Sequence, residues 1–332
     1  KKHLDKDELA ESVDFLKWIQ DHHFTFLGVR DSELLKKDSE SVLRPVLNSG
    51  MGILSEKHVG KVPISLLSRS PDAQQMTSSS QILTISKTNQ RSTVHRPTSN
   101  DYLGMKLYDE KGNVVGERAF VGLYTHDAYN VNPIDIPFLR RKVAQVMQRS
   151  GFSGHSHSGK ALLNILETLP RDELFQASID DLLEMSMGIL QMQERRMIRL
   201  FARQDVYHRF ISCLVFVPRE RFNTELRREM EKVLLKEFRG KEIEFATRFS
   251  ESVLARIHFL VSIAHKDEHE IDFRQVEKKL VEVGRSWEDD LKTNILDSFG
   301  EEKGNIYANR YTNAFSASYR EYFSPRTAVY DV

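Results

Sequence analysis

Two arginine-bearing stretches hold the residue types best suited to binding chemistry. In the first, Arg91, Ser92, Thr93, His95, Arg96, Asn100 and Asp101 crowd one short span. A strand showing His95 on one face and Arg96 on the other, followed by Pro97, offers a guanidinium fork to a carboxylate ligand. The same residues also admit an architectural reading, in which Arg96 pairs with Asp101 or with an acid of a neighbouring helix. In the second stretch, PRERFNTE from Pro218 to Glu225, Arg219 and Arg221 precede a helix that Asn223 is suited to cap. Free amides at a helix start attract anions and the arginines add to that, while a salt-bridged contact between domains is the structural alternative. The effector-binding candidates are therefore His95, Arg96, Asp101, Arg219, Arg221 and Asn223.

Catalytic patterns are incomplete everywhere else. GHSHSGKA from Gly154 to Ala161 has the glycines and lysine of a phosphate-binding loop, but Ala161 stands where a Ser or Thr would hold magnesium. The segment before it reads as helix, whereas such a loop needs an entering strand, so a turn in which Ser158 or Gly159 starts the next helix is expected. His155 and His157, like His22 and His23, lack the spacing and the Cys or Asp partners of a metal site, and no metal is expected. Cys213 alternates with Ile211 and Val215 on a strand and reads as a small buried hydrophobe. No G-x-G-x-x-G opens a helix after a strand, so dinucleotide binding is not expected within the chain.

The elements that must position these residues fall into four parts. Leu9, Val13, Leu16 and Ile19 recur at helical spacing after an acidic start, predicting a helix over 6–21. Strands are expected over 24–34, 82–86 and 92–96. A hairpin follows, with Leu103, Met105 and Leu107 on one face of one arm and Val121 and Leu123 facing inward from the other. Residues 36–81, rich in Ser, Lys, Pro and Gly, read as a partly ordered insertion with a mobile tip at Ser78 to Ser80. Helices are expected over 138–149, 160–168 and 179–192. From Met197 the pattern is ββαββα: two strands, a helix capped by Asn223 and stopped by Gly240, two strands, then a helix. That order is a circular permutation of the βαββαβ ferredoxin-like arrangement. Phe273, Val276, Leu280, Val283 and Trp287, then Leu291, Ile295 and Phe299, advance by threes and fours. They predict one long helix whose far half packs on the connector, on helices of 307–323, or on another subunit.

Composition bounds the function classes. The 332 residues carry 48 Lys+Arg against 48 Asp+Glu, so no net field draws the chain to nucleic acid or to anionic lipid. A hydrophobic share of 40% supports buried cores in about two domains. A single cysteine fits a reducing cytoplasmic setting, and no apolar run approaches a membrane span. The start at Lys1 without methionine and the end at Val332 without a terminating element read as a cut piece of something longer.

Several stretches, in order, carry a resemblance. TNQRSTVHRPTSNDYLGMKLYDEKGNVVGERAFVGLYTHDAY from Thr88 to Tyr129, SGKALLNILETLPRDELFQ from Ser158 to Gln176, VPRERFNTELR from Val217 to Arg227, SESVLARIHFLV from Ser250 to Val261 and RSWEDDL from Arg285 to Leu291 resemble the N-terminal, non-catalytic portion of the large bacterial NAD-specific glutamate dehydrogenases. The resemblance implies a PAS-like α+β domain over 1–135, a helical connector over 136–195, an ACT-like domain over 196–285 and a helical extension over 286–332. It implies that the parent enzyme oxidises L-glutamate with NAD to 2-oxoglutarate, ammonium and NADH, with NAD and the catalytic residues outside this segment. The segment is then regulatory or structural, its partners being the rest of its own polypeptide, a homo-oligomer and an amino-acid effector. ACT domains commonly bind amino acids near a strand-to-helix loop, which points to the Arg219 loop, although the glycine-rich effector loop is absent there.

Overall fold

The computed structural model describes residues 6–37, 40–56, 81–94, 97–193, 195–263 and 271–332. Helix α1 (Lys6–Trp18) opens on Asp7 and Glu8, acids at the positive end of the helix dipole. Its inward face differs from the expected stripe. Leu9 and Val13 are 44% and 41% exposed, while Ser12, Phe15 and, just past the helix, Ile19 are buried. Phe15 sets the rotation, its ring lying 5.8 Å from Trp18, 5.6 Å from Phe138 and 5.8 Å from Phe175 between centroids. One large aromatic in a ring cluster outweighs two aliphatic side chains left at the surface.

The first sheet contains β1 (Phe24–Lys37), β2 (Glu40–Pro45), β3 (Met51–Gly52), β4 (Leu83–Arg91), β5 (Ser99–Tyr108) and β6 (Val114–Tyr124). Its order is β2-β1-β6-β5-β4, with β3 also pairing β1, and every pairing is antiparallel. The expected insertion is thus ordered over its first part, where β2 and β3 extend the sheet; residues 57–80, with the Ser78 to Ser80 tip, lie outside the described residues. The expected strand over 92–96 is corrected over 92–94, residues 95 and 96 lying outside the described residues. Strand β4 ends at Arg91, after which the Ser92 hydroxyl donates to the Val94 carbonyl at 2.8 Å and closes a turn. The hairpin is also corrected in facing. Leu103 pairs with Phe120 and Tyr102 with Val121, so Val121 shares a face with Tyr102 rather than with Leu103. Both faces are covered. Leu103 joins the main core, while Tyr102 and Val121 pack against Tyr207 from a turn between two strands of the second sheet.

After a short α2 (His126–Asn130) come α3 (Leu139–Ser150), α4 (His157–Thr168), α5 (Arg171–Gln176) and α6 (Ile179–Met192). Ser156 caps α4 by accepting from the Gly159 amide at 3.0 Å, so the glycine-rich stretch is a turn and helix start, begun one or two residues earlier than expected. Ser178 and Asp181 form a capping box that starts α6 where the sequence places it. The second sheet follows with β7 (Arg199–Gln204), β8 (Phe210–Pro218), α7 (Thr224–Glu237), β9 (Glu242–Arg248), β10 (Leu254–Ser262) and α8 (Phe273–Val283). Its strand order is β7-β8-β10-β9. One face packs on α7 and α8 through Cys213, Val215, Met230, Leu234, Phe259 and Leu280. The other contributes Leu214, Phe216 and Leu254 to the core that holds the first sheet and the helices. Strand β8 is buried along its whole length for that reason.

The long C-terminal helix is broken in two. Gly284 ends α8, and Ser286 with Asp289 forms a second capping box that starts α9 (Trp287–Tyr311), which kinks at Gly300 with φ +77°. The apolar period runs through both pieces, but a full box of cap hydrogen bonds decides the boundary. Of the three packing partners expected for its far half, α9 uses the chain's own C-terminal helices α10 (Ala317–Tyr322) and α11 (Pro325–Ala328), through Leu291, Ile295, Ala308 and Ala328.

Phe15→Ala is expected to lose about 3–5 kcal/mol in denaturant unfolding, whereas Leu9→Ala, on the face the periodicity favours, stays within about 0.5 kcal/mol. Equal losses for the two would contradict the observed helix rotation.

Candidate functional site

Three consecutive charges on the short helix α5 each serve a different part of the molecule. Pro170 precedes the helix and Ala177 ends it, so its six residues make a compact plug between the two sheets. Leu174 and Phe175 are fully buried in the shared core. Asp172 accepts from the Tyr129 hydroxyl at 2.9 Å and lies 3.2 Å from the Lys87 ammonium, which itself pairs with Asp101 at 2.7 Å. Burial opposes the Lys87 charge, yet the Asp101 and Asp172 carboxylates outweigh it and hold Lys87 well above the ordinary lysine value.

Glu173 ties α5 to the second sheet. Arg203 of β7 donates to it through Nε at 2.8 Å and Nη2 at 3.0 Å, and the Ser212 hydroxyl of β8 donates at 2.5 Å. His258 of β10 lies 3.3 Å away through Nε2. Burial works against this carboxylate, but Arg203 and then His258 hold its pKa far below the usual range. Ser212, His258 and Glu173 have the residue types of a hydrolytic triad without its geometry. The histidine meets both the serine, at 2.8 Å, and the glutamate through the same Nε2, so no relay through the opposite ring nitrogen exists, and Ser212 is 3% exposed.

Beside this network a cleft of about 620 Å³ opens between the end of α2 with the residues that follow it to 133, the end of α4, α5 and strands β9 and β10. Arg171, Arg248 and Arg256 line it with His258. Arg171 is 7% exposed; its Nη2 donates to the Val131 carbonyl at 2.7 Å, but its Nε and Nη1 are buried without an acceptor. Arg248 and Arg256 face each other across the β9–β10 ladder. Both turn to one acceptor, the Thr168 carbonyl at the end of α4, at 3.2 and 2.7 Å. Like charges directly opposite on neighbouring strands repel. No carboxylate among the described residues forms an ion pair with any of the three arginines; Asp172 is taken by Lys87 and Tyr129, and Glu167 accepts from Asn132 at 3.0 Å. Burial and then the Arg248 charge pull Arg256 down to about 10 and lower Arg171 as well. Such a cluster has the charge and donor geometry that attract anions.

Three models of this family match the chain: the glutamate dehydrogenase ACT2 domain over residues 199–288, glutamate dehydrogenase helical motif 1 over 136–195 and helical motif 2 over 294–332. The NAD-specific glutamate dehydrogenase of Halomonas elongata is 40% identical over 332 residues, that of Pseudomonas aeruginosa 38% over 336 and that of Mycobacterium tuberculosis 28% over 340. Each alignment takes in 98–99% of this chain. The chain belongs, as a segment, to the NAD-specific glutamate dehydrogenases. It spans 20% of the length of these relatives. In this glutamate dehydrogenase segment the cleft lies where helical motif 1, carrying Arg171, meets the ACT2 domain, carrying Arg248 and Arg256.

The residues singled out from sequence are placed differently. His95 and Arg96 lie outside the described residues. Asp101 is 1% exposed; it pairs with Lys87, and its other oxygen accepts from the Tyr124 amide at 2.9 Å. Arg219 donates to the Ser250 carbonyl at 3.3 Å and lies over the Phe249 ring, while Arg221 pairs with Asp289 at 2.6 Å. Asn223 caps α7 by accepting from the Leu226 amide at 2.8 Å. The structure keeps Arg219, Arg221 and Asn223 together in one loop and sets Asp101 apart in the first sheet. Sequence reading missed Arg171, Arg248, Arg256 and His258. The available signal was the polar side of β10, where Arg256 and His258 alternate with the core residues Ile257 and Phe259. Burial pushes the Cys213 thiol up, as suits a side chain with no exposure. No described helix is long and apolar enough to cross a membrane.

Glu173→Gln is expected to lose about 3–5 kcal/mol, because it leaves Arg203 as an uncompensated buried charge. The sign with pH follows from the depressed folded pKa. The Glu173 contribution is complete above the ordinary value of 4.5 and is lost as pH falls below it towards the folded value. Guanidinium midpoints taken from about pH 7 down to pH 3 should therefore fall more steeply for the wild type than for the variant. Parallel curves would remove Glu173 from its place as the tie.

Proposed function

We propose that the segment regulates and helps assemble an NAD-dependent glutamate dehydrogenase without taking part in the chemistry. The parent polypeptide oxidises L-glutamate with NAD to 2-oxoglutarate, ammonium and NADH, and NAD binds outside the segment. Four parts carry out the role: a PAS-like α+β domain over 1–135, a helical connector over 136–195, an ACT-like domain over 196–285 and an extension over 286–332. The ACT-like part reads as a permuted ferredoxin-like fold, supported by its ββαββα order and the β7-β8-β10-β9 sheet. The partners are the remainder of the same polypeptide and further copies in a cytoplasmic homo-oligomer.

One observation carries the regulatory reading: the arginines of the interdomain cleft have no acid among the described residues to neutralise them. Arg203 and Arg221, by contrast, pair with Glu173 and Asp289. A ligand shifts an equilibrium only through differential affinity for two states. An amino-acid or related acid bound between helical connector and ACT-like sheet would gain contacts that exist only when the two walls hold this spacing. The rival reading, a structural arm that binds nothing, draws its support from the paired Asp101 and Arg221.

In the complete polypeptide, Arg248→Glu supplies the cleft with a permanent internal acid. Its rate of glutamate oxidation at subsaturating substrate should change about fivefold or more, the lower end of a typical allosteric coupling, with the oligomeric mass by light scattering unchanged. Identical kinetics would overturn regulation through this cleft and leave the arm.

A further inference from the structure

We infer that the cleft is a binding site for a small dianion, a dicarboxylate or a phosphate-bearing metabolite, held by Arg171, Arg248 and Arg256. The ligand class rests on reading the cleft as an effector site. The site itself stands on geometry that is independent of the parent's activity.

Charge fixes the sign and the valence. Three guanidiniums line one cleft, and among the described residues they meet backbone carbonyls alone. A monoanion would leave two of them uncompensated in a partly desolvated space, whereas two negative charges leave the site close to the balance that Arg203 and Glu173 reach nearby. Geometry fixes the shape. Arg248 and Arg256 stand as cross-strand neighbours on one wall, and Arg171 stands on the helical wall. A ligand with two anionic groups, or one phosphate with three oxygens, can meet both walls at once. Arg171 supplies the further observation. Its Nε and Nη1 are buried and lack an acceptor among the described residues; they point to different sides of the guanidinium, so one anion oxygen reaching either of them removes part of that deficit. The cleft volume of about 620 Å³ suits a small metabolite.

His258 gives the site a connection to the rest of the fold. It lines the cleft and reaches Glu173 at 3.3 Å and Ser212 at 2.8 Å. A dianion seated there acts on the hydrogen-bond group that fastens α5 to the second sheet, so occupancy and interdomain packing are coupled through contacts already in place. Glu167 and Asp172 also line the cleft, but Asp172 is taken by Lys87 and Tyr129 and Glu167 accepts from Asn132.

The test is calorimetric titration of the 332-residue chain with succinate and, separately, with inorganic phosphate, at ionic strength matched with sodium chloride, and with acetate as the monoanion. Saturable binding of at least one dianion, with acetate weaker, is expected. Which dianion binds more tightly distinguishes the dicarboxylate from the phosphate source. Arg248→Ala, at an exposed position that should not disturb folding, is expected to weaken it about tenfold, the loss of one charge-assisted hydrogen bond. Arg219→Ala, outside the cleft, should leave it unchanged. Absence of saturable binding by either dianion to folded protein, or unchanged affinity in Arg248→Ala, would overturn the inference. If binding fails while Arg248→Glu still alters the kinetics of the complete polypeptide, the ligand class is wrong and regulation stands. If the dianion binds and those kinetics do not change, the site is real and the regulatory reading fails.

Discussion

The buried carboxylate of Glu173 sets the frame in which everything else sits. It arrives on a six-residue helix, is 1% exposed, and is met by Arg203, Ser212 and His258 from three strands of the second sheet. A charge moved out of water is tolerated only when its partners are close and its lone pairs are used, and here both conditions hold. With its neighbour Asp172 bound to Lys87 of the first sheet, α5 is held from both sides. The two sheets share one apolar core around that helix, and Tyr207 from the β7–β8 turn closes the other face of the first sheet against Tyr102 and Val121. The net energy of such an ion network is modest beside the same volume filled with hydrocarbon. What it supplies is specificity, since any other placement of α5 strands several charges.

The cleft follows from the same placement. Packing α5 and the end of α4 beside β9 and β10 brings the half-buried Arg256 and the exposed Arg248, like charges opposite one another on the ladder, to the rim of one cleft. Elsewhere the chain solves this problem locally. Arg118 is forked by Asp31, Arg140 lies against Glu11 and Asp14, and Arg227 pairs with Glu231 one turn along its helix. Against these pairs, Arg171, Arg248 and Arg256 meet carbonyls and no ion-paired acid among the described residues, and the three line one cleft. A fold that could have placed an acid opposite them has placed Thr168 at a helix end instead, whose dipole offers part of a negative charge and leaves room for the rest.

Most elements were legible in the chain because their causes are local. The capping box at Ser178 and Asp181, the Asn223 cap and the alternation of Ile211, Cys213, Val215 and Val217 each act over a few residues, and each element formed where these signals lie. Where two local signals competed, period alone misled. Phe273 to Phe299 keeps a helical stripe across a break that Gly284 and the Ser286 box impose. Leu9 and Val13 keep the stripe of α1 while Phe15 decides which face is buried. The pairing of Tyr102 with Val121 was beyond reach of alternation, which says that two faces exist but not which of them is covered, and here both are.

The sequence by itself determined the family, the absence of net charge, the alternation of strand-rich and helix-rich stretches and the local caps, because these depend on residue identity and near neighbours. The tertiary structure alone decided which charges are neutralised. Arg171, Arg248 and Arg256 each look in sequence like one more solvated cation, and Arg219 and Arg221 look like an anion site. Packing took the latter pair into contacts with Ser250, Phe249 and Asp289 and left the former three together with no ion-paired acid among the described residues. Whether a charge is free depends on what long-range packing sets beside it once water is removed, and no window along the chain contains that information.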